Sequence, residues 1–260
     1  MRNSIIALAA LAAASTATGP LIAAEDNKPT IVLVHGAFAD SSSWNGVADL
    51  LLKDGYPVVA IANPLRSVKS DADYVSRVVE NIGGPVVLVG HSYGGAVIST
   101  AANGAENVKS LVYVAAFAPD AGESAADLAG KFPGGTLGQA LAAPVKLADG
   151  NVDLYIDQAK FHGQFAQDVP AEQAALMAAG QRPITEAALT EKAGEPAWKA
   201  LPSWFVYGDA DKNIPPKALG WMAERAHSKG TVVIGGASHV VMVSRPDKVA
   251  DLIEKAATAE

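Results

Sequence analysis

PVVLVGHSYGGA, residues 85–96, runs four apolar residues into a serine set among glycines. Val86–Val89 show no polar alternation, so they read as a strand covered on both faces, as in a parallel sheet. Gly90-His91-Ser92-Tyr93-Gly94 fits the pattern G-x-S-x-G. Alone that pattern is only moderately specific. Here it follows a strand and precedes a helix-like run, Ala96–Ala102. A strand-to-helix turn this tight strains the serine backbone. It also requires small residues two before and two after, because strand and helix backbones nearly touch. The hydroxyl then projects above the sheet edge beside a helix N-terminus. The glycines make room for a presented serine; the plainer alternative is a helix-capping serine in a glycine-rich turn.

Further runs of the same kind lie on either side. Thr30–Gly36, Tyr56–Ala62, Gly84–Gly90, Val108–Phe117, Ser203–Gly208 and Thr231–Gly236 read as strands. Helical patterns separate them. Ser41–Ser43 open one through Leu50–Leu52 that stops at Gly55. Ser70 with Asp73 forms a weak capping box before Val75, Val78, Val79 and Ile82. Ser244 is placed to cap the last helix, with Pro246 in its first turn. The alternation predicts an α/β fold, a doubly wound and mostly parallel sheet. One connection exceeds an ordinary crossover. Residues 119–200 hold helix-like pieces and scattered aromatics, and read as a helical cap inserted in the core of 25–118 and 201–260.

The 260 residues are 50% hydrophobic and 18% charged, with a net charge of −7. No block of like charge points to nucleic acid or an anionic membrane. The absence of cysteine excludes disulfides, thiolate zinc sites and a cysteine nucleophile. Residues 1–24 have Arg2, the apolar run Ile5–Ala14 and then small residues. That is the layout of a secretory signal peptide, too short to span a bilayer, so the expectation is a periplasmic or secreted protein.

A serine hydroxyl needs a base, and the base an orienting acid. Of five histidines, His239 follows the last strand at the edge where Ser92 emerges, and is the expected base. His35 and His91 read as structural or pocket-lining; His162 and His227 as solvated or locally satisfied. Asp209 and Asp211 follow the preceding strand, and either could be the acid. Their D-x-D-x-N spacing resembles a calcium loop, but Ile214 stands where glycine is needed and Gly220 where the bidentate glutamate belongs. The oxyanion needs two fixed N–H donors, expected from the backbone of Tyr93 and of Ala37.

With these motifs in order, the chain resembles the α/β-hydrolase superfamily over about residues 29–258. VLVHGAFADSSSW, LVGHSYGG, YGDADKNIPP and SHVVMVSRP carry the likeness. It is most similar to the branch of pyrethroid hydrolases and other carboxylesterases, plant methyl esterases and hydroxynitrile lyases. The resemblance implies a helical cap, and favours Asp211 through the pattern G-x-x-D followed by Pro215. The usual first antiparallel hairpin looks missing or very short. Lyases of this branch carry lysine after the catalytic histidine; Val240 there points away from cyanide chemistry. The expected function is a serine hydrolase that cleaves a small-molecule carboxylic ester through Ser92, His239 and Asp211, needing no metal or cofactor. The alternatives are an amide, lactone or C–C hydrolase, or a ligand-binding protein on the same scaffold.

Overall fold

A computed structural model describes residues 22–23 and 28–259. The expected signal peptide thus lies outside the described residues, apart from Ile22 and Ala23. The main sheet has six strands: β1 (Thr30–Val34), β2 (Val58–Ile61), β3 (Val86–His91), β4 (Val108–Val114), β5 (Ser203–Gly208) and β6 (Gly230–Ile234). All pair in parallel, in the order β6-β5-β4-β3-β1-β2. Each strand coincides with a run expected from the sequence, with β3 reaching one residue further to His91 and β6 starting one residue earlier at Gly230.

The order sets where a site can form. From β1 the chain steps outward to β2, then returns to the other side of β1 with β3 and continues to β6. The loops after β1 and β3 therefore diverge at a topological switch point on the carboxyl edge, where open α/β sheets bind ligands. Register brings the relevant strand ends level: Val34 faces Gly90, and His91 faces Val114. Val86–Val89 are wholly buried, each contributing about 1.5–3 kcal/mol of transfer free energy.

Helices α1 (Asn45–Lys53), α2 (Val68–Glu80) and α3 (Gly94–Ala101) lie between these strands, with α1 packed on the last helix and α2 on α3. Two helix starts differ from expectation. The cap of α2 is Ser67, whose side chain accepts from Ser70 N–H, not Ser70 itself. The first turn buries Asp71, which interrupts the apolar stripe and hides the true start. Before α1, Asp40 accepts from Ser42 N–H and caps a 3-10 turn, Ser41–Trp44.

Between β4 and β5 lie α4 (Ala125–Gly130), α5 (Leu137–Ala140), α6 (Gln158–Phe165), α7 (Ala171–Gly180) and α8 (Glu186–Thr190). A small antiparallel sheet joins them, from Val145–Lys146, Val152–Leu154 and Ile184–Thr185. Strands of two or three residues are too short to show a period, so no sequence pattern marks this sheet. Trp198 Nε1 donates to Pro119 O at 3.0 Å, pinning the two ends of the segment together. Helices α9 (Pro216–Arg225), α10 (Val241–Ser244) and α11 (Pro246–Thr258) complete the chain. Ser244 ends α10 and does not cap α11, which starts at Pro246 without a side-chain cap.

Candidate active site

Ser92 follows β3 directly and sits at φ +53°, a region that L-residues rarely occupy. Its backbone is held from both sides. Ser92 N–H donates to Val114 O at 3.2 Å, while Ser92 O accepts from Gly95 N–H and Phe117 N–H. The flanking glycines are required by space. A Cβ on Gly90 would stand 2.6 Å from Gly94 O, and one on Gly94 2.5 Å from Val34 O.

The loops after β5 and β6 are bound to each other. Asp209 N–H donates to Ile234 O and Ala210 N–H to Ala237 O, both at 3.2 Å. This brings Asp211 beside His239. His239 Nδ1 lies 2.6 Å from Asp211 Oδ2, and His239 Nε2 lies 2.8 Å from Ser92 Oγ. The other carboxylate oxygen, Asp211 Oδ1, accepts from Asn213 N–H at 2.7 Å and Ile214 N–H at 3.0 Å. An acid held at both oxygens cannot swing away from the imidazole. Asp209 is exposed and does something else: its Oδ1 accepts from Gly236 N–H at 2.7 Å.

Ala37 and Tyr93 line one cavity with Ser92 and His239. Among the described residues, neither of their backbone N–H groups has an acceptor. Buried N–H groups without partners are rare, and two beside a presented hydroxyl fit a developing oxyanion. Each loop is braced. Tyr93 Oη donates to the buried Asp71 Oδ2 at 3.0 Å. Burial pushes the Asp71 carboxyl up from its ordinary pKa, opposed by hydrogen bonds from Arg66 and Tyr93. Behind Ala37, His35 Nδ1 donates to Gly36 O at 2.9 Å and His35 Nε2 accepts from Asn63 N–H at 3.0 Å. Both ring nitrogens are thus used by a neutral imidazole, and burial pushes the His35 pKa down to about 4. Phe38, next in the loop, has φ +60° and donates its N–H to Arg182 O at 2.9 Å.

The remaining histidines are accounted for. His91 is wholly buried against His239, ring centroids 4.8 Å apart, and burial drives its pKa well down. His162 Nε2 lies 2.9 Å from Val169 O, and His227 is exposed just past α9. Phe165 of α6 covers the site, with its ring 5.2 Å from that of His239 and edge-on to Phe38 at 6.2 Å. The cavity is small, about 70 Å³, and mostly apolar in lining. Sequence reasoning missed Phe165, Asp71 and Asn63: their roles depend on contacts between distant segments, and no local pattern marks them.

Fold and site together define the class, and the matches to known proteins agree. The alpha/beta hydrolase family model covers residues 31–252, and the chain belongs to that family. It is 27% identical to an alpha-hydroxynitrile lyase of Arabidopsis thaliana, over 90% of this chain and 98% of the relative. It is 23% identical to methylesterase 1 of the same plant, over 90% and 97%. The crystal structure of polyneuridine aldehyde esterase superposes with a TM-score of 0.76 at 20% identity, covering 88% of this chain and 99% of that one. The last likeness speaks for the fold.

Proposed function

We propose that the protein is a serine hydrolase that cleaves small carboxylic esters through an acyl-enzyme. The observation that carries this reading is the buried line from Ser92 Oγ through His239 to Asp211, at 2.8 and 2.6 Å. At rest His239 carries its proton on Nδ1, shared with Asp211, so Nε2 accepts from the Ser92 hydroxyl. As Ser92 Oγ attacks the ester carbonyl, its proton passes to Nε2 and the imidazolium is stabilised by Asp211. The oxyanion takes the N–H groups of Ala37 and Tyr93. Collapse breaks the bond to the alkoxy oxygen, and Nε2 returns the proton to the departing alcohol. Water, deprotonated by the same nitrogen, then attacks the acyl-serine and releases the acid. Phe165 over His239 keeps bulk water from the ring, strengthening each charge interaction.

A cavity of about 70 Å³ is well under the roughly 300–1,000 Å³ of sites for drug-sized ligands. Short acyl or alkyl groups are therefore favoured. The likeness to a hydroxynitrile lyase does not redirect the reading. Val240, after His239, is apolar and wholly buried, and offers no cation there to hold a leaving cyanide. Initial rates on p-nitrophenyl acetate, butanoate and octanoate test the proposal. Turnover falling with chain length, and lost about a thousandfold or more in Ser92→Ala, supports it. Wild-type rates no faster than Ser92→Ala on all three would sink it.

A further inference from the structure

Asn213 stands two residues past Asp211 and is 5% exposed. Its side chain belongs to a chain of amides whose direction is fixed. Gln164 Nε2 donates to Lys212 O at 3.0 Å and to Asn213 Oδ1 at 3.1 Å, while Gln164 Oε1 accepts from Thr136 Oγ1 at 2.9 Å. A backbone carbonyl only accepts, so Lys212 O determines which end of Gln164 is nitrogen. Both N–H groups of that nitrogen are then used, and Asn213 must turn its oxygen to Gln164. Asn213 Nδ2 is left over, buried, with no partner among the described residues.

Asn213 lines the same cavity as Ser92 and His239. Apart from those two and Tyr93, whose hydroxyl is committed to Asp71, the rest of that lining is apolar. Among the described residues the other unpaired buried donors, Trp44 Nε1, Arg225 Nε and Ser244 Oγ, belong to residues outside this lining. Among the described residues, Asn213 Nδ2 is thus the one side-chain donor in the cavity that neither the proposed chemistry nor the fold uses. Buried polar groups find partners, and a donor fixed by its neighbours at a ligand site finds one on the ligand.

We propose that Asn213 is a specificity residue whose Nδ2 donates to a second acceptor oxygen of the substrate, a keto, ether or hydroxyl oxygen distinct from the scissile ester group. The preferred substrates are short esters bearing such an oxygen, on the acyl or the alcohol side. A purely apolar analogue leaves the donor unpaired, which is how such sites discriminate. The substrate class rests on the ester-hydrolase reading; the hydrogen bond itself is tested by binding alone.

Calorimetric titration of Ser92→Ala, which cannot form the acyl-serine, compares two pairs of similar size. Ethyl 3-oxobutanoate is set against ethyl 3-methylbutanoate, and 2-methoxyethyl butanoate against butyl butanoate. In one pair the oxygen-bearing ester binds about threefold to tenfold tighter, and that pair tells which side of the ester meets Asn213. Adding Asn213→Leu, or Asn213→Asp, which keeps the shape and the acceptor for Gln164, brings the ratio to about one. No preference in either pair, no binding of any of the four, or a preference that survives both substitutions overturns the proposal. Failure of the wild type to hydrolyse any ester, with the binding preference present, would instead sink the ester reading and leave the Asn213 assignment standing.

Discussion

Ser92 Oγ meets His239 Nε2 at 2.8 Å, although 147 positions separate them in the chain. Nothing local to either residue makes that distance. It arises because β3 and β6 end on the same edge of one parallel sheet, and because the loops after β5 and β6 are bonded to each other. On the proposed mechanism, a hydroxyl so placed has its proton acceptor in position before any substrate arrives, which removes much of the orientational cost of the first step.

The acid behind the histidine is distinguishable from its neighbour by mutation. Asp211→Asn keeps the shape but no longer fixes Nδ1–H on the ring, and kcat falls about ten-thousandfold. Asp209→Asn keeps an oxygen that accepts from Gly236 N–H, loses only the charge and leaves kcat within about threefold. Steady-state kinetics on one p-nitrophenyl ester decides it, with thermal melts to show that both variants are folded. Equal losses at the two positions would contradict the assignment.

Tyr93 contributes its backbone N–H to the proposed oxyanion site and its hydroxyl to Asp71. Tyr93→Phe separates the two. The hydroxyl leaves, the buried Asp71 loses a donor, and unfolding free energy drops by about 1–3 kcal/mol. The N–H stays, so kcat changes by less than about threefold. Urea unfolding and kcat measured on the same preparation check both halves.

The main sheet and the three residues of the line from Ser92 to Asp211 are legible in the sequence. Most of the six main strands follow from continuous apolar runs, and Ser92, Asp211 and His239 each stand just past an expected strand. What pattern could not carry was partnership across the fold. Asp71 stands in the first turn of α2, where an acid is ordinarily solvated, and only the approach of Tyr93 explains why it is buried. The sheet of Val145–Lys146, Val152–Leu154 and Ile184–Thr185 has too few residues per strand to alternate visibly. Asn213 belongs to a D-x-D-x-N stretch that fails as a calcium loop; its orientation is set by Gln164, far away on α6.

Acid should loosen the fold from behind Ala37. His35 is neutral in the folded protein, its pKa pushed down to about 4, against about 6.5 in the unfolded chain. The unfolded state therefore binds more protons between those values. Stability contributed by His35 is complete above about pH 6.5 and is lost as pH falls toward 4, a decline of about 3 kcal/mol. His91, also held neutral by burial, acts in the same direction. Urea unfolding at pH 7, 6, 5 and 4 should show this decline, and His35→Gln should flatten it. An unchanged slope in His35→Gln would contradict the assignment.

The most direct test of the central claim is to ask which atom becomes acylated. Wild-type protein is mixed with p-nitrophenyl butanoate, quenched in acid within the first turnovers and mapped by peptide mass spectrometry; a fluorophosphonate that traps activated serines is run in parallel. The expected result is one butanoyl and one phosphonyl adduct, both on the peptide containing Ser92, and neither in Ser92→Ala. Adducts on another residue, or hydrolysis of the ester with Ser92 never modified, would contradict it.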